Sequence, residues 1–501
     1  MLSRSEVLAW LAQYPKFEDT ILSLPYAPRM PRAMVKETQE VIAVARRFNR
    51  EVARKLALPL DRKTHEDHDY MPWDLVEEAN RWGFYTMWIP KLFGGKGYNM
   101  PSMSHFVEEV GSVCLGIANV IGVHYLGVAG VISSGNVRLS RRIMADVAEG
   151  ERTGRPCLIA LAITEPTAGT DVEEVELEDK GKVTCHARRV EGGYIVNGTK
   201  VFISMGHMST WTILFAFTDL KKPSESSVAF MVKTGMKGFS LGTHENKMGQ
   251  RACPASVLTF EECFIPDELV VFDADMARKI TNKPLRDVNQ RYIDYVVSAT
   301  RPGVCAFGTG AARGAYEAAL RYASTTQVNG RLLINNEWVQ CLLAEMYKNV
   351  ALGRLAYMEA NYANSHRGMY QMLQVKPLYY YYKYMPESYF TNVVGSLLEK
   401  EYMSTLMGRV NFDWARSSDQ NCCSGWGSLA KFAGTDIGVR NCQMALELMG
   451  ASGLRQDAGV EKILRDAKLL QIYEGTNQLN RLNLFKCLIA PAVAQAKCFE
   501  E

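Results

Sequence analysis

The hydrophobic period of this chain changes twice, and that order constrains the fold more than any single motif. Residues 1 to about 155 repeat apolar side chains at three- and four-residue spacing. PRAMVKETQEVIAVARRFNREVARKL and MPWDLVEEANRWGF, for example, place their charges on the opposite face, as amphipathic helices do. From Cys157 to about Phe272 the text changes to short β-branched and aromatic runs, TILFAFT, SVAFMVK and ASVLTFEECFI, each bounded by turn residues. Helical spacing returns at about Arg286 and persists to the end. The pattern predicts an α+β chain: an N-terminal helical domain over 1–156, a middle antiparallel β domain over 157–272, and a C-terminal helical domain over 273–501. Within GGYIVNGTKVFIS, the Asn197-Gly198 pair between β-branched runs predicts a hairpin turn. A sheet flanked by two helical domains makes clefts in which a large flat ligand can be buried.

Composition narrows the function classes. A net charge of +3 on 501 residues is too small to point to nucleic acid. No run approaches 18 uninterrupted apolar residues, so no membrane span is expected. The segment VCLGIANVIGVHYLGVAGVISSG is apolar all round and reads as a helix buried in a bundle, with His124 a hydrogen-bonded core histidine. The N-terminus carries Glu6, Glu18 and Asp19 and resembles neither a signal nor a transit peptide. Twelve cysteines are scattered without a CxxC pair, and Cys422-Cys423 has no histidine at ligand spacing. Neither disulfides nor zinc are expected, and a reducing cytoplasm is the expected location. The Tyr- and Met-rich stretch from about 368 to 429 carries no motif and reads as a packing insertion.

Two segments carry chemistry. AITEPTAGTD, Ala162 to Asp171, leaves a strand for a loop rich in backbone N–H groups and threonine hydroxyls, suited to a heterocycle edge or a phosphate. LLQIYEGTNQLNR places Glu474 between an aromatic ring and a glycine, as a catalytic base or as the polar residue of a turn. With these two segments in this order, some 300 residues apart, the sequence resembles the flavin-dependent acyl-CoA dehydrogenases. Their signatures TEPxAGSD and YEGTxQxxR match here, as do NGTKVFIS and NKMGQRACPASVLTFEECFIP, and the likeness covers about 40–365 and 430–490.

That resemblance implies a C-terminal four-helix-bundle-type domain, a bound FAD, an acyl-CoA substrate, a homodimer or homotetramer, and an electron-transferring flavoprotein as acceptor. It makes Glu474 the catalytic base that removes the α-proton while flavin takes the β-hydride. Some members carry the base just before the arginine of an RP-type segment; here VSATRPG has Thr300 before Arg301, so no carboxylate competes. Burial is expected to raise the carboxyl pKa. Cofactor contacts carry over to Leu161, Ile163, Thr164, Gly169, Thr170, Phe202, Ile203, Ser204, Thr476 and Gln478; substrate contacts carry over to Thr170, Arg301 and Gly475. Phe202 and Ser204 stand where the family has tryptophan and threonine. An oxidase, an enoyl-CoA reductase or a non-catalytic member of the same fold are the alternatives.

Departures fall on the family's nucleotide clamp. Thr326, Asn329, Asn336-Glu337 and Glu447 occupy positions of an Arg, a Phe, a His-Gln pair and a Gln. The FAD nucleotide half is therefore expected to be held differently, with help from the insertion or from Arg331. Ala118 stands where glutaryl-type members carry an arginine, which disfavours a dicarboxylic acyl chain, and Gly116 and Ala118 are expected to leave room near the acyl tail.

Overall fold

The computed structural model describes residues 31–365, 375–493 and 495–500. The N-terminal stretch read for a leader, and the start of the insertion, lie outside the described residues. Helices α1 (Arg32–Phe48), α2 (Arg54–Glu66), α3 (Trp73–Arg81), α4 (Met100–Gly111), α5 (Leu115–Ser133) and α6 (Val137–Thr153) precede the sheet. Among the described residues α5 alone is long and apolar enough to cross a bilayer, with a mean hydropathy of 1.8; 78% of that window is buried inside the fold. His124 sits in α5, buried and bonded at both ring nitrogens. Nδ1 accepts from the Ile159 N–H (3.2 Å) and Nε2 faces the Tyr85 carbonyl (3.1 Å), while burial drives its pKa down to about 3. It is the neutral core histidine expected from its apolar setting.

The sheet comprises β1 (Ile159–Ala162), β2 (His186–Val190), β3 (Gly193–Ser204), β4 (Trp211–Phe217), β5 (Ser227–Lys233), β6 (Phe239–His244), β7 (Ala255–Pro266) and β8 (Val270–Phe272). Its order is β6-β7-β3-β2-β4-β5-β8, with β1 added to β4. The expected antiparallel pairing holds for β2-β3, β3-β7, β6-β7, β4-β5 and β5-β8, but β1 and β2 both run parallel to β4. The connections between these strands are long enough for a crossover rather than a reversal.

The hairpin expected at Asn197-Gly198 is not there either. Both residues lie inside the twelve-residue strand β3, and the chain reverses earlier, between Val190 and Gly193. Asn197 exchanges side-chain bonds with Glu262 on β7 (2.7 Å each), and the ladder slips a residue between Val196 and Gly198. Asn197 faces both Glu261 and Glu262, so the pair lies opposite a β-bulge on β7 in place of a turn. Gly198 is required there: a Cβ would stand 2.6 Å from Cys185 Cα.

Beyond the sheet come α7 (Leu285–Thr325), α8 (Glu337–Asn364), α9 (Lys376–Tyr384), α10 (Glu401–Gly408), α11 (Ser417–Met449), α12 (Val460–Leu469) and α13 (Asn477–Leu484). At 41 residues α7 is about 60 Å long and packs on α8, α11 and α4. It tolerates Pro302 because the carbonyl that loses its partner, Ser298 O, accepts from Asn364 Nδ2 (2.5 Å).

The insertion expected over about 368–429 runs into helix α11. Residues 417–429, including SSDQNCCSGWGS, are the first turns of α11, where Gly425, Gly427 and Ser428 are buried. Glycines and serines conceal a helix whose neighbours pack against small residues. The described residues from 382 to 399 lie on the N-terminal domain. Lys91 Nζ donates to the carbonyls of Tyr382, Lys383 and Met385 (2.8–3.0 Å), Arg141 to Thr391 O (2.8 Å), and Lys383 pairs with buried Glu37. The insertion also reaches the start of α7, where Arg291 donates to Phe412 and Ala415 carbonyls.

Candidate active site

A cavity of about 390 Å³ lies between the N-terminal helices, the β1 edge and α7. It gathers most of the residues singled out in the sequence. Leu161, Ile163, Thr164, Gly169, Thr170, Phe202, Ile203, Ser204 and Glu474 all line it.

Buried charge fixes the loop that carries Thr164 and Thr170. Glu165 and Lys200 form an ion pair (2.8 Å), both side chains fully inaccessible. Lys200 Nζ also donates to the Ile163 carbonyl (2.8 Å), and Glu165 Oε2 accepts from Thr184 Oγ1 (2.8 Å) and the Cys185 N–H (3.1 Å). An ion pair can be buried when its remaining hydrogen-bonding capacity is met in this way. Just beyond Lys200, β3 slips against β7, and Phe202 adopts φ +60°. The bulge turns its ring outward at the cavity rim, 61% exposed. A Cβ on Gly169 would meet no heavy atom within 4 Å, so the loop leaves open space there.

Glu474 lies between α12 and α13 with φ +56°, in the left-handed region, followed by Gly475 at +74°. For a glutamate such a backbone costs roughly 1–3 kcal/mol and persists only where its surroundings enforce it. Three groups do so. The Glu474 carbonyl accepts from Arg301 Nε (3.3 Å) and Asn480 Nδ2 (3.2 Å); the Gly475 carbonyl accepts from Lys431 Nζ (2.7 Å). Thr300 Oγ1 lies 2.8 Å from Glu474 Oε2 and 3.1 Å from the Val296 carbonyl, with one proton to serve either. Burial raises the Glu474 carboxyl to about 7, with the neighbouring Glu173 charge as the second cause; Thr300, Arg301 and Lys431 oppose the rise. Lys431 is lowered to about 7, chiefly by burial.

Other assigned residues fall outside the cavity. Arg301 is fully buried behind Glu474, its guanidinium bonded to the Glu474 carbonyl, Ser428 Oγ (3.0 Å) and Glu173 Oε2 (3.1 Å). It holds the loop rather than lining the cavity. Gly475 is buried beneath it, with a Cβ there standing 2.8 Å from Glu173 Oε2. Thr476 caps α13 by accepting from the Leu479 N–H (3.3 Å), and Gln478 is exposed on that helix. Gly116 packs on Ala252 and Ala118 is fully buried; neither opens the cavity. The wall from α5 is the neighbouring stripe of Asn119, Gly122, Val123 and Leu126, and α4 adds Met100, Met103 and Val107. That helical stripe is the sequence signal that would have found them.

Glu173 is the residue sequence reasoning missed. Among the described residues, it and Glu474 are the only charged side chains lining the cavity. At the far end of α7, Thr326 precedes a two-stranded ribbon (Gln327–Val328 with Arg331–Leu332), and Arg331 donates to the Asn335 carbonyl at the surface. The insertion meets the opposite end of α7, so within one chain it stands far from this clamp segment.

Three family models match, the N-terminal, middle and C-terminal domains of acyl-CoA dehydrogenase, over residues 36–151, 160–263, and 291–376 with 410–489. The break from 377 to 409 falls within the insertion. Probable acyl-CoA dehydrogenase FadE25 of Mycobacterium bovis and of M. tuberculosis are each 26% identical over 419 residues, covering 83% of this chain and 88% of theirs. Butyryl-CoA dehydrogenase from Megasphaera elsdenii superposes with a TM-score of 0.67 at 22% identity, over 90% of this chain and 98% of its own. A chain from a structure of the electron transferring flavoprotein of Acidaminococcus fermentans gives 0.68 at 23%, with 90% and 98% covered. Matches to all three domain models in chain order, over most of its length, make this chain a member of the acyl-CoA dehydrogenase family.

Proposed function

We propose that the chain catalyses FAD-dependent α,β-dehydrogenation of an acyl-CoA thioester to the trans-2-enoyl thioester, with Glu474 as the base. One observation carries this reading: a carboxyl raised to about 7 at the wall of a largely apolar cavity beside the TEPTAGTD loop. A thioester α-proton is too weakly acidic for an ordinary carboxylate, and a base matched to neutral pH is better suited to take it. Met100, Met103, Val107, Leu126 and Val304 offer the acyl chain apolar surface. The Glu474 N–H has no acceptor among the described residues and is free to bond the thioester carbonyl as negative charge develops there.

The chain's residues fit the ring half of FAD. The exposed Phe202 face, the hydroxyls of Thr164, Thr170 and Ser204, and the open space at Gly169 suit a planar heterocycle with a polar edge. Among the described residues no lysine or arginine lines the cavity. When bound, FAD supplies the two-electron acceptor for the hydride leaving Cβ. Glu474 holds the abstracted proton, Arg301 and Lys431 keep its loop in place, and the apolar wall excludes water. Reoxidation by an electron-transferring flavoprotein completes the cycle.

Anaerobic addition of a panel of acyl-CoAs to the purified protein tests this reading. Flavin absorbance should bleach with at least one chain length, and Glu474→Gln should bind acyl-CoA without bleaching. Bleaching retained in Glu474→Gln would refute the base.

A further inference from the structure

The Glu474–Gly475 peptide is held at its carbonyl and packed against a carboxylate. The carbonyl accepts from Arg301 Nε (3.3 Å) and Asn480 Nδ2 (3.2 Å), and Glu173 stands against Gly475, where a Cβ would lie 2.8 Å from its Oε2. Glu173 Oε2 also receives Arg301 Nη2 (3.1 Å), so one guanidinium spans the carboxylate and the peptide carbonyl. Turning that plane would break both bonds to its carbonyl, and removing Glu173 would leave the buried guanidinium without its carboxylate. The plane's orientation is coupled to φ of Gly475, which is +74°. Glu173 comes from the 3₁₀ turn Thr170–Glu173, directly after the TEPTAGTD loop, so it ties that loop to the base.

We propose that Glu173 is a positioning residue of this active site: through Arg301 and its contact with Gly475 it locks the 474–475 peptide so that the Glu474 carboxylate faces the cavity. Its charge accompanies that role by strengthening the hold of Glu474 on a proton. The inference rests on Glu474 being the base. Charged and titratable groups reach Glu474 from each packed element. Glu173 comes from the loop after β1, Arg301 from α7, Lys431 from α11, and Tyr473 from its own segment; Asp436 on α11 acts through Lys431. Helices α4 and α5 present no charged group to the cavity. The Glu173 charge makes the ionisation of Glu474 harder, while Arg301 and Lys431 ease it. Glu173 is itself raised by burial and lowered by Arg301 and Lys431.

Two substitutions separate the roles. Glu173→Gln keeps the size and an acceptor oxygen but removes the charge; Glu173→Asp keeps the charge but withdraws it from Gly475. With Glu173→Gln, the acid limb of the kcat/KM profile should move down by roughly one pH unit. Glu173→Asp should leave the limb near its wild-type position and lower kcat roughly tenfold with little change in KM. Infrared difference spectra against Glu474→Gln, which read the Glu474 carboxyl directly, should show the same downward shift without turnover. An unmoved Glu474 titration in Glu173→Gln would overturn the charge role, and wild-type kcat in Glu173→Asp would overturn the positioning role. If the wild type turned over no acyl-CoA, the proposed function would fail while the infrared titration still decided the part played by Glu173.

Discussion

Replacing Glu474 by glutamine should stabilise the protein at alkaline pH and do nothing for it in acid. The folded carboxyl is raised from 4.5 to about 7, so the native state binds this proton more tightly than the unfolded chain does. Between those values the native state carries the extra proton, and stability falls as pH rises; above about 7 the loss is complete. At about 1.36 kcal/mol per unit the full loss is roughly 3 kcal/mol. Glutamine never ionises and escapes it, while Lys431, lowered to about 7, titrates in both proteins and largely cancels in the comparison. An unfolding entropy of about 2.1 cal/mol/K per residue makes roughly 1 kcal/mol/K for a chain of 501 residues. The melting-temperature difference between variant and wild type should therefore widen by about 3 °C between pH 4.5 and 8. Calorimetry of both proteins across that range measures it. A difference that stayed flat with pH, or reversed, would refute the assignment of a buried, reluctantly ionised carboxyl.

Turnover itself should rise with pH through about 7 as the Glu474 carboxyl loses its proton, seen as an acid limb in kcat/KM. Gly475→Ala forces a Cβ to within 2.8 Å of Glu173 Oε2 at φ +74° and should cost about 1–3 kcal/mol of stability, with kcat falling at least tenfold in steady-state assays. Lys200→Met leaves Glu165 buried without its cation and should destabilise by roughly 3 kcal/mol in denaturant titrations, with Glu165→Gln in the same chain recovering much of it.

The order helices, sheet, helices was legible because each period persists over many residues, and the two signatures brought nine assigned residues to one cavity. Bulges were not legible. Asn197-Gly198 reads as a turn by local preference, and only pairing with Glu262, sixty-five positions from Asn197, holds it in a strand opposite a bulge. The parallel pairing of β1 was hidden for the same reason, since strand direction is set by where the chain returns and not by strand composition. The start of α11 was concealed by glycines and serines, which are poor helix formers on their own and well suited to close packing. Glu173 escaped because a carboxylate two residues past a signature looks like loop decoration until Arg301 is placed beside it.

The insertion also imposes an order on assembly. Lys91 and Arg141 in the first third of the chain find their partners at 382–399, some 250–290 positions later. Phe412 closes the same seam against Phe272 and Tyr292, with ring centroids 5.4 and 6.5 Å apart. Contacts of such separation form late, because loop closure comes before any of their reward. The N-terminal helices therefore leave the ribosome with their insertion-facing side unfinished, and wait for nearly the whole polypeptide before that side is closed.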